Sequence, residues 1–199
     1  MALGSVATVT EKSSDDHTAE IFRVRAGIVI EAAPEDIFHY VSDLSRSGEW
    51  SPECLGGTWR VGGPDRVGSV FEGRNHRAAD VVGWAPVVRG TWTTEAEVVE
   101  VDPPRRFAWA MRDSAGRRQD SVWSFEVRPV PDGGELVHAF RMGRPTEGIR
   151  KIVSGLSPEQ AEAFFRDWSV KLAGDLRTTL ANIREVLGKR AGESIRGNS

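Results

Sequence analysis

Residues 157–187, SPEQAEAFFRDWSVKLAGDLRTTLANIREVL, carry the marks of one long helix. Ser157 suits an N-cap, Pro158 the first helical position, and Glu159 and Glu162 put negative charge near the positive helix end. Phe165, Trp168, Leu172, Leu176, Leu180 (or Thr179), Ile183 and Leu187 then recur at three- and four-residue steps, the apolar stripe of an amphipathic helix. Gly188 is expected to stop it, with Arg184 and Lys189 near its negative end. At about 1.5 Å per residue the helix runs roughly 45 Å. So long a stripe needs a large apolar partner, and no other segment is comparably helical. The partner has to be the strand-rich region before it.

That region alternates. Phe22, Val24, Ala26, Ile28 and Ile30 share one face of a first strand, with Arg23, Arg25 and Glu31 on the other. Ala33-Pro34-Glu35-Asp36 starts a helix with Ile37, Tyr40, Val41 and Leu44 on its buried side, and a second short helical piece covers 44–50. Strands are expected over 58–61, 68–77, 91–101, 107–111, 122–128 and 136–142. The turns Gly62-Gly63-Pro64-Asp65, Asp113–Gly116 and Pro131-Asp132-Gly133-Gly134 separate several of them. A phase change at Val98-Val99 suggests a bulge that curves the sheet. Consecutive strands joined by short turns give an antiparallel sheet, and helices on one of its faces make an α+β domain. Residues 1–20 and 189–199 are polar and aperiodic and are expected to be disordered tails around one domain, 21–188.

Composition narrows the function. The 199 residues are 39% hydrophobic and 28% charged, ordinary values for a soluble domain. A net charge of −3 lacks the positive footprint that a phosphate backbone requires, so nucleic acid is not an expected partner. The single Cys54 leaves no intramolecular disulfide and no cysteine-built zinc site, and His17, His39, His76 and His138 are scattered, so no metal is expected. No apolar run reaches membrane-spanning length and the N-terminus has no signal-peptide pattern, so the expectation is a cytoplasmic protein, monomer or homodimer. Seven Trp residues must either pack or line something.

The order of elements resembles the START-like, or Bet v 1-like, helix-grip superfamily. The first strand leading into Ala32-Ala33-Pro34-Glu35-Asp36-Ile37-Phe38 is similar to that superfamily's common opening. Gly48-Glu49-Trp50-Ser51-Pro52-Glu53-Cys54, with Gly68–Asn75 and Trp92-Thr93-Thr94, resembles a bacterial branch related to polyketide cyclases and dehydrases. The resemblance covers about residues 21–187. It implies a curved antiparallel sheet wrapped around the long C-terminal helix, two short helices after the first strand, and a cavity between sheet and helix. The connection between Asn75 and Trp92 is longer than usual for the branch, so the rim of that cavity is expected to differ.

Alternation places Phe71, Asn75, Trp92, Thr94, Phe107, Trp109, Trp123, Phe125, His138, Phe140 and Met142 on the helix-facing side, and the helix adds Phe165, Trp168 and Leu172. An apolar lining with a few polar groups is the usual make-up of a small-molecule pocket, although the same residues can simply fill a core. Asn75 suits a ligand carbonyl or hydroxyl, or equally a satisfied core amide or a bound water. His138 suits proton transfer near neutral pH, or a hydrogen-bonded place in the core. Trp50 should lie near the pocket mouth, as a gate, a stacking surface or a simple packing residue, with Glu49 and Glu53 solvated beside it. Cys54 has no base beside it in the sequence to activate its thiol.

Three functions are consistent with this reading, and none needs a cofactor. The first is binding of a hydrophobic small molecule: a lipid, a polyketide-like compound or an aromatic one. The second is a polyketide cyclase, aromatase or dehydratase that works by cavity shape plus acid/base groups drawn from Asn75, His138, Thr94 or Ser121. The third is a protein-interaction module with a filled core. Whether the 78–90 loop covers the pocket is open at this level.

Overall fold

A single antiparallel sheet is built in the strand order β1-β2-β8-β7-β6-β5-β4-β3. The computed structural model describes residues 8–9 and 20–196. Its elements are β1 (Thr8–Val9), β2 (Phe22–Ile30), α1 (Pro34–Ser42), a 3-10 segment (Leu44–Glu49), β3 (Cys54–Val61), β4 (Val70–Arg77), β5 (Gly90–Asp102), β6 (Arg106–Arg112), β7 (Arg118–Val130), β8 (Gly133–Met142), α2 (Glu147–Val153) and α3 (Pro158–Arg196). Neighbours β3 to β8 pair in chain order, as short turns dictate, while β2 pairs with β8. The chain therefore crosses from β2, beside the edge strand β1, to the opposite edge at β3, and α1 with the 3-10 segment forms that crossing. The register of β5 against β6 slips between Val98 and Glu100, at the phase change seen in the sequence.

Direct cross-strand partners share a face, so the register can be read across the sheet. One row runs Val24, Phe140, Trp123, Trp109, Val98, and the next Ala26, His138, Phe125, Phe107, Val101. These rows lie on the face that α1 and α3 cover. Gly134 lets α1 come close: a Cβ there would stand 2.6 Å from the Ile37 Cδ1. α3 packs along β2, burying Phe164, Trp168, Leu172, Leu176, Leu180, Ile183 and Leu187.

The start of α3 is closed by a reciprocal cap. The Ser157 Oγ accepts from the Gln160 N–H at 3.3 Å, and the Gln160 Oε1 accepts from the Ser157 N–H at 2.9 Å. Its end differs from expectation. Gly188 does not stop the helix, which continues to Arg196. A glycine weakens a helix by only about 1 kcal/mol relative to Ala, and the residues after it continue the backbone bonding. The buried stripe is also shifted: Phe164, four residues before Trp168, takes the inward position, and Phe165 is half-buried beside it. Of the expected N-terminal tail, all but Thr8, Val9 and Glu20 lies outside the described residues, and of the C-terminal tail, 197–199 do. Thr8 and Val9 pair with Ala26 and Arg25 as β1.

Candidate functional site

The eleven strand residues singled out as lining fall on one sheet face, as the register shows. The helices divide that face in two. Under α1 and the C-terminal part of α3 it is densely packed. Phe107 and Phe125 are fully buried, and Trp109 tilts against both at 5.7 and 5.6 Å. Trp50 belongs to this half, not to a mouth. The 3-10 segment turns it inward, where it is 4% exposed and stands edge-on to Phe125 at 5.6 Å. Its backbone carbonyl accepts from the Asn182 side chain at 3.1 Å. The Trp50 indole N–H and the Ser121 hydroxyl are buried without hydrogen-bond partners among the described residues.

His138 is also sealed in. It is 3% exposed and stacked against Phe125 at 4.1 Å, with Trp123 and Trp109 beyond. Its Nδ1 lies 3.0 Å from the Ser124 carbonyl, which can only accept, so Nδ1 carries the proton. Burial pushes its pKa down to about 4 despite that hydrogen bond. The imidazole is neutral at physiological pH.

Towards the N-terminal part of α3 the same face is only partly covered. Asn75, Trp92, Thr94, Met111 and Trp123 are half-buried although they point the same way as the packed rows. That strip of the face, on β4–β7, is left half-covered. Within it the Asn75 Nδ2 donates to the Thr94 Oγ1 at 3.0 Å and to the Gly73 carbonyl at 3.3 Å.

The rim of this half-covered strip carries a charged network that reading by apolar alternation passed over. Arg77 follows Asn75 by two residues, so it shares the inward face, and it is 9% exposed. Its guanidinium lies over the rings of Trp92 (4.6 Å) and Trp168 (4.9 Å). It grips Glu53 with two bonds of 2.6 and 2.9 Å and donates to the Val88 carbonyl at 2.9 Å. Lys171 bridges Glu53 and Asp175, the latter at 2.5 Å. Burial acts to raise the Glu53 carboxyl, but Arg77 and Lys171 outweigh it and hold it below the usual carboxylate range. Burial lifts the Asp175 carboxyl, and Lys171 offsets this only in part. Glu53 is therefore not a solvated flank of Trp50. It ties the loop before β3 to β4 and α3. Continuing the β4 alternation by one step reaches Arg77, so that signal was in the sequence; its distant partners Glu53 and Trp168 were not.

Trp168 consequently meets Phe164 (5.6 Å), Arg77 and Lys171 rather than the Trp109–Trp123 stack. The 78–89 loop lies against the same part of α3. Arg89 donates to the carbonyls of Ala79, Val82, Gly83, Ala85 and Val87, which makes the loop a self-braced unit. Trp84 tethers it: its indole N–H donates to Asp167 at 2.9 Å and its ring stands edge-on to Phe164 at 6.4 Å. Ala85 and Val87 are buried beneath. Among the described residues no helix is long and apolar enough to cross a membrane.

A long helix gripped by a curved antiparallel sheet, with an aromatic inner face, defines the helix-grip class of ligand-binding and cyclase-like domains. The chain belongs to the polyketide cyclase/dehydrase and lipid transport family, whose model matches residues 22–188. Among solved structures it is similar to a polyketide-cyclase-like protein of Corynebacterium glutamicum, with 24% identity, 86% of this chain and 94% of that one covered, and a TM-score of 0.58. It is similar to a Thermobifida fusca protein at 20% identity, covering 84% and 93%, with a TM-score of 0.55. The di-domain aromatase/cyclase of the steffimycin biosynthetic pathway is 14% identical, with 85% of this chain and 51% of that one covered and a TM-score of 0.58. At these identities the likenesses show the fold alone. No curated protein matches the chain significantly.

Proposed function

We propose that the protein binds a hydrophobic small molecule, of lipid, polyketide-like or aromatic character, in the groove between β4–β7 and the N-terminal part of α3. The observation that carries this is the split of the inner face. One half is fully buried, while Trp92, Trp123, Asn75 and Thr94 on the other half stay half-buried. Half-covered aromatic surface beside a few fixed polar groups is the composition that apolar ligands use. Binding is preferred to turnover because His138, the proposed acid/base group, is neutral and shut beneath aromatic rings, and Asn75 does not titrate.

The test is a titration with 1-N-phenylnaphthylamine, a neutral probe that fluoresces in apolar sites. Saturable one-to-one binding is expected, weakened roughly tenfold, or about 1.4 kcal/mol, by Trp92→Ala or Trp123→Ala. No saturable binding, or binding indifferent to both substitutions, would overturn the reading.

A further inference from the structure

Resting on that reading of the groove, we infer that its ligand is a neutral compound bearing a hydroxyl group, read by the Asn75–Thr94 pair, and that free carboxylates are rejected. The Asn75 amide is oriented by its neighbours. The Gly73 carbonyl can only accept, so the atom 3.3 Å from it is Nδ2, and the second Nδ2 proton goes to the Thr94 Oγ1 at 3.0 Å. Both amide donors are then used. The Asn75 Oδ1 remains an acceptor, and the Thr94 hydroxyl, already accepting, keeps its own proton to donate. Among the described residues no other hydrogen bond reaches either group. The pair thus offers one acceptor and one donor side by side on the groove face. A ligand hydroxyl, itself donor and acceptor, satisfies both. An ether or ketone satisfies only the donor, and a carboxylate leaves Oδ1 facing a second acceptor.

The rim supplies no compensating charge. Arg77 is committed to Glu53 and the Val88 carbonyl, and Lys171 to Glu53 and Asp175. Two cations and two carboxylates close on themselves, so an entering carboxylate finds paired cations with Glu53 and Asp175 beside them. Trp92, the register partner of Asn75, provides the adjoining apolar surface.

The test displaces 1-N-phenylnaphthylamine with three compounds of one shape near neutral pH: 2-naphthol, 2-methoxynaphthalene and 2-naphthoate. 2-Naphthol is expected to bind about tenfold more tightly than the methyl ether, and the ionised acid more weakly than either, since a hydrogen bond left unmade at a buried partner costs about that factor. Thr94→Val keeps the shape and removes the hydroxyl. Asn75→Leu removes the amide. Each is expected to bring the naphthol-to-ether ratio close to one, and circular dichroism matching that of the unaltered protein shows that the variant is folded. Equal affinities in the unaltered protein, tighter binding of 2-naphthoate, or a ratio unchanged in both variants would overturn the inference and leave the binding function standing. Failure of the probe and all three compounds to bind would overturn both.

Discussion

Replacing His138 by Gln should remove a pH dependence that the fold builds into its own core. His138 is 3% exposed and its pKa is lowered from 6.5 to about 4 by burial. As the pH falls below 6.5 the unfolded chain takes up a proton that the folded chain refuses until about pH 4. The stability tied to the neutral imidazole is therefore fully present above pH 6.5 and drains away across that window. A separation of about 2.5 pH units, at roughly 1.4 kcal/mol each, amounts to about 3 kcal/mol. Other groups titrate too. Glu53, held below its ordinary value, also loses stabilising power in acid, and Asp175, raised, acts in the opposite sense. Both persist in the variant, so the quantity to follow is the difference between the two proteins. Urea unfolding from about pH 7.5 down to about pH 4 should show the unaltered protein losing about 3 kcal/mol relative to His138→Gln. A difference that stays flat across that range would refute the reasoning, because it would mean that the folded imidazole takes up its proton as readily as the unfolded one.

Arg77→Met leaves the largely buried Glu53 carboxylate without its main partner and should cost about 3–5 kcal/mol in denaturant unfolding; adding Glu53→Gln should recover part of that. Trp84→Ala cuts the tether to Asp167 and Phe164, a half-exposed contact worth roughly 1 kcal/mol or less to global stability. Hydrogen exchange should nonetheless show the 78–89 amides exchanging faster together, while those of the middle of α3 are unchanged. Leu180→Ala, at a fully buried position of the stripe, should lower stability by about 2–5 kcal/mol with the binding groove retained, checked by the same probe titration.

Much of this protein can be read along the chain, because much of it is local or periodic. Two-residue alternation from Phe22 to Met142 and the three- and four-residue steps of the last helix specify which side chains face inward, and turns such as Pro131-Asp132 dictate which strands are neighbours. That is sufficient for a helix gripped by an antiparallel sheet, and for the face on which any ligand must lie. Periodicity is silent on contacts between distant elements. Phe164 instead of Phe165 faces the sheet because the packing angle of α3 chooses between adjacent positions on one stripe. Trp50 is a core residue, not a gate, because the 3-10 segment carries it under α3. The sequence by itself determined that aromatic residues would share one face. Only the tertiary structure decided which of them are sealed with His138 and which stay half-covered. It also gathered Glu53, Arg77, Lys171 and Asp175 at the rim, because charges far apart in the chain can be paired only by the fold that brings them within a few ångströms.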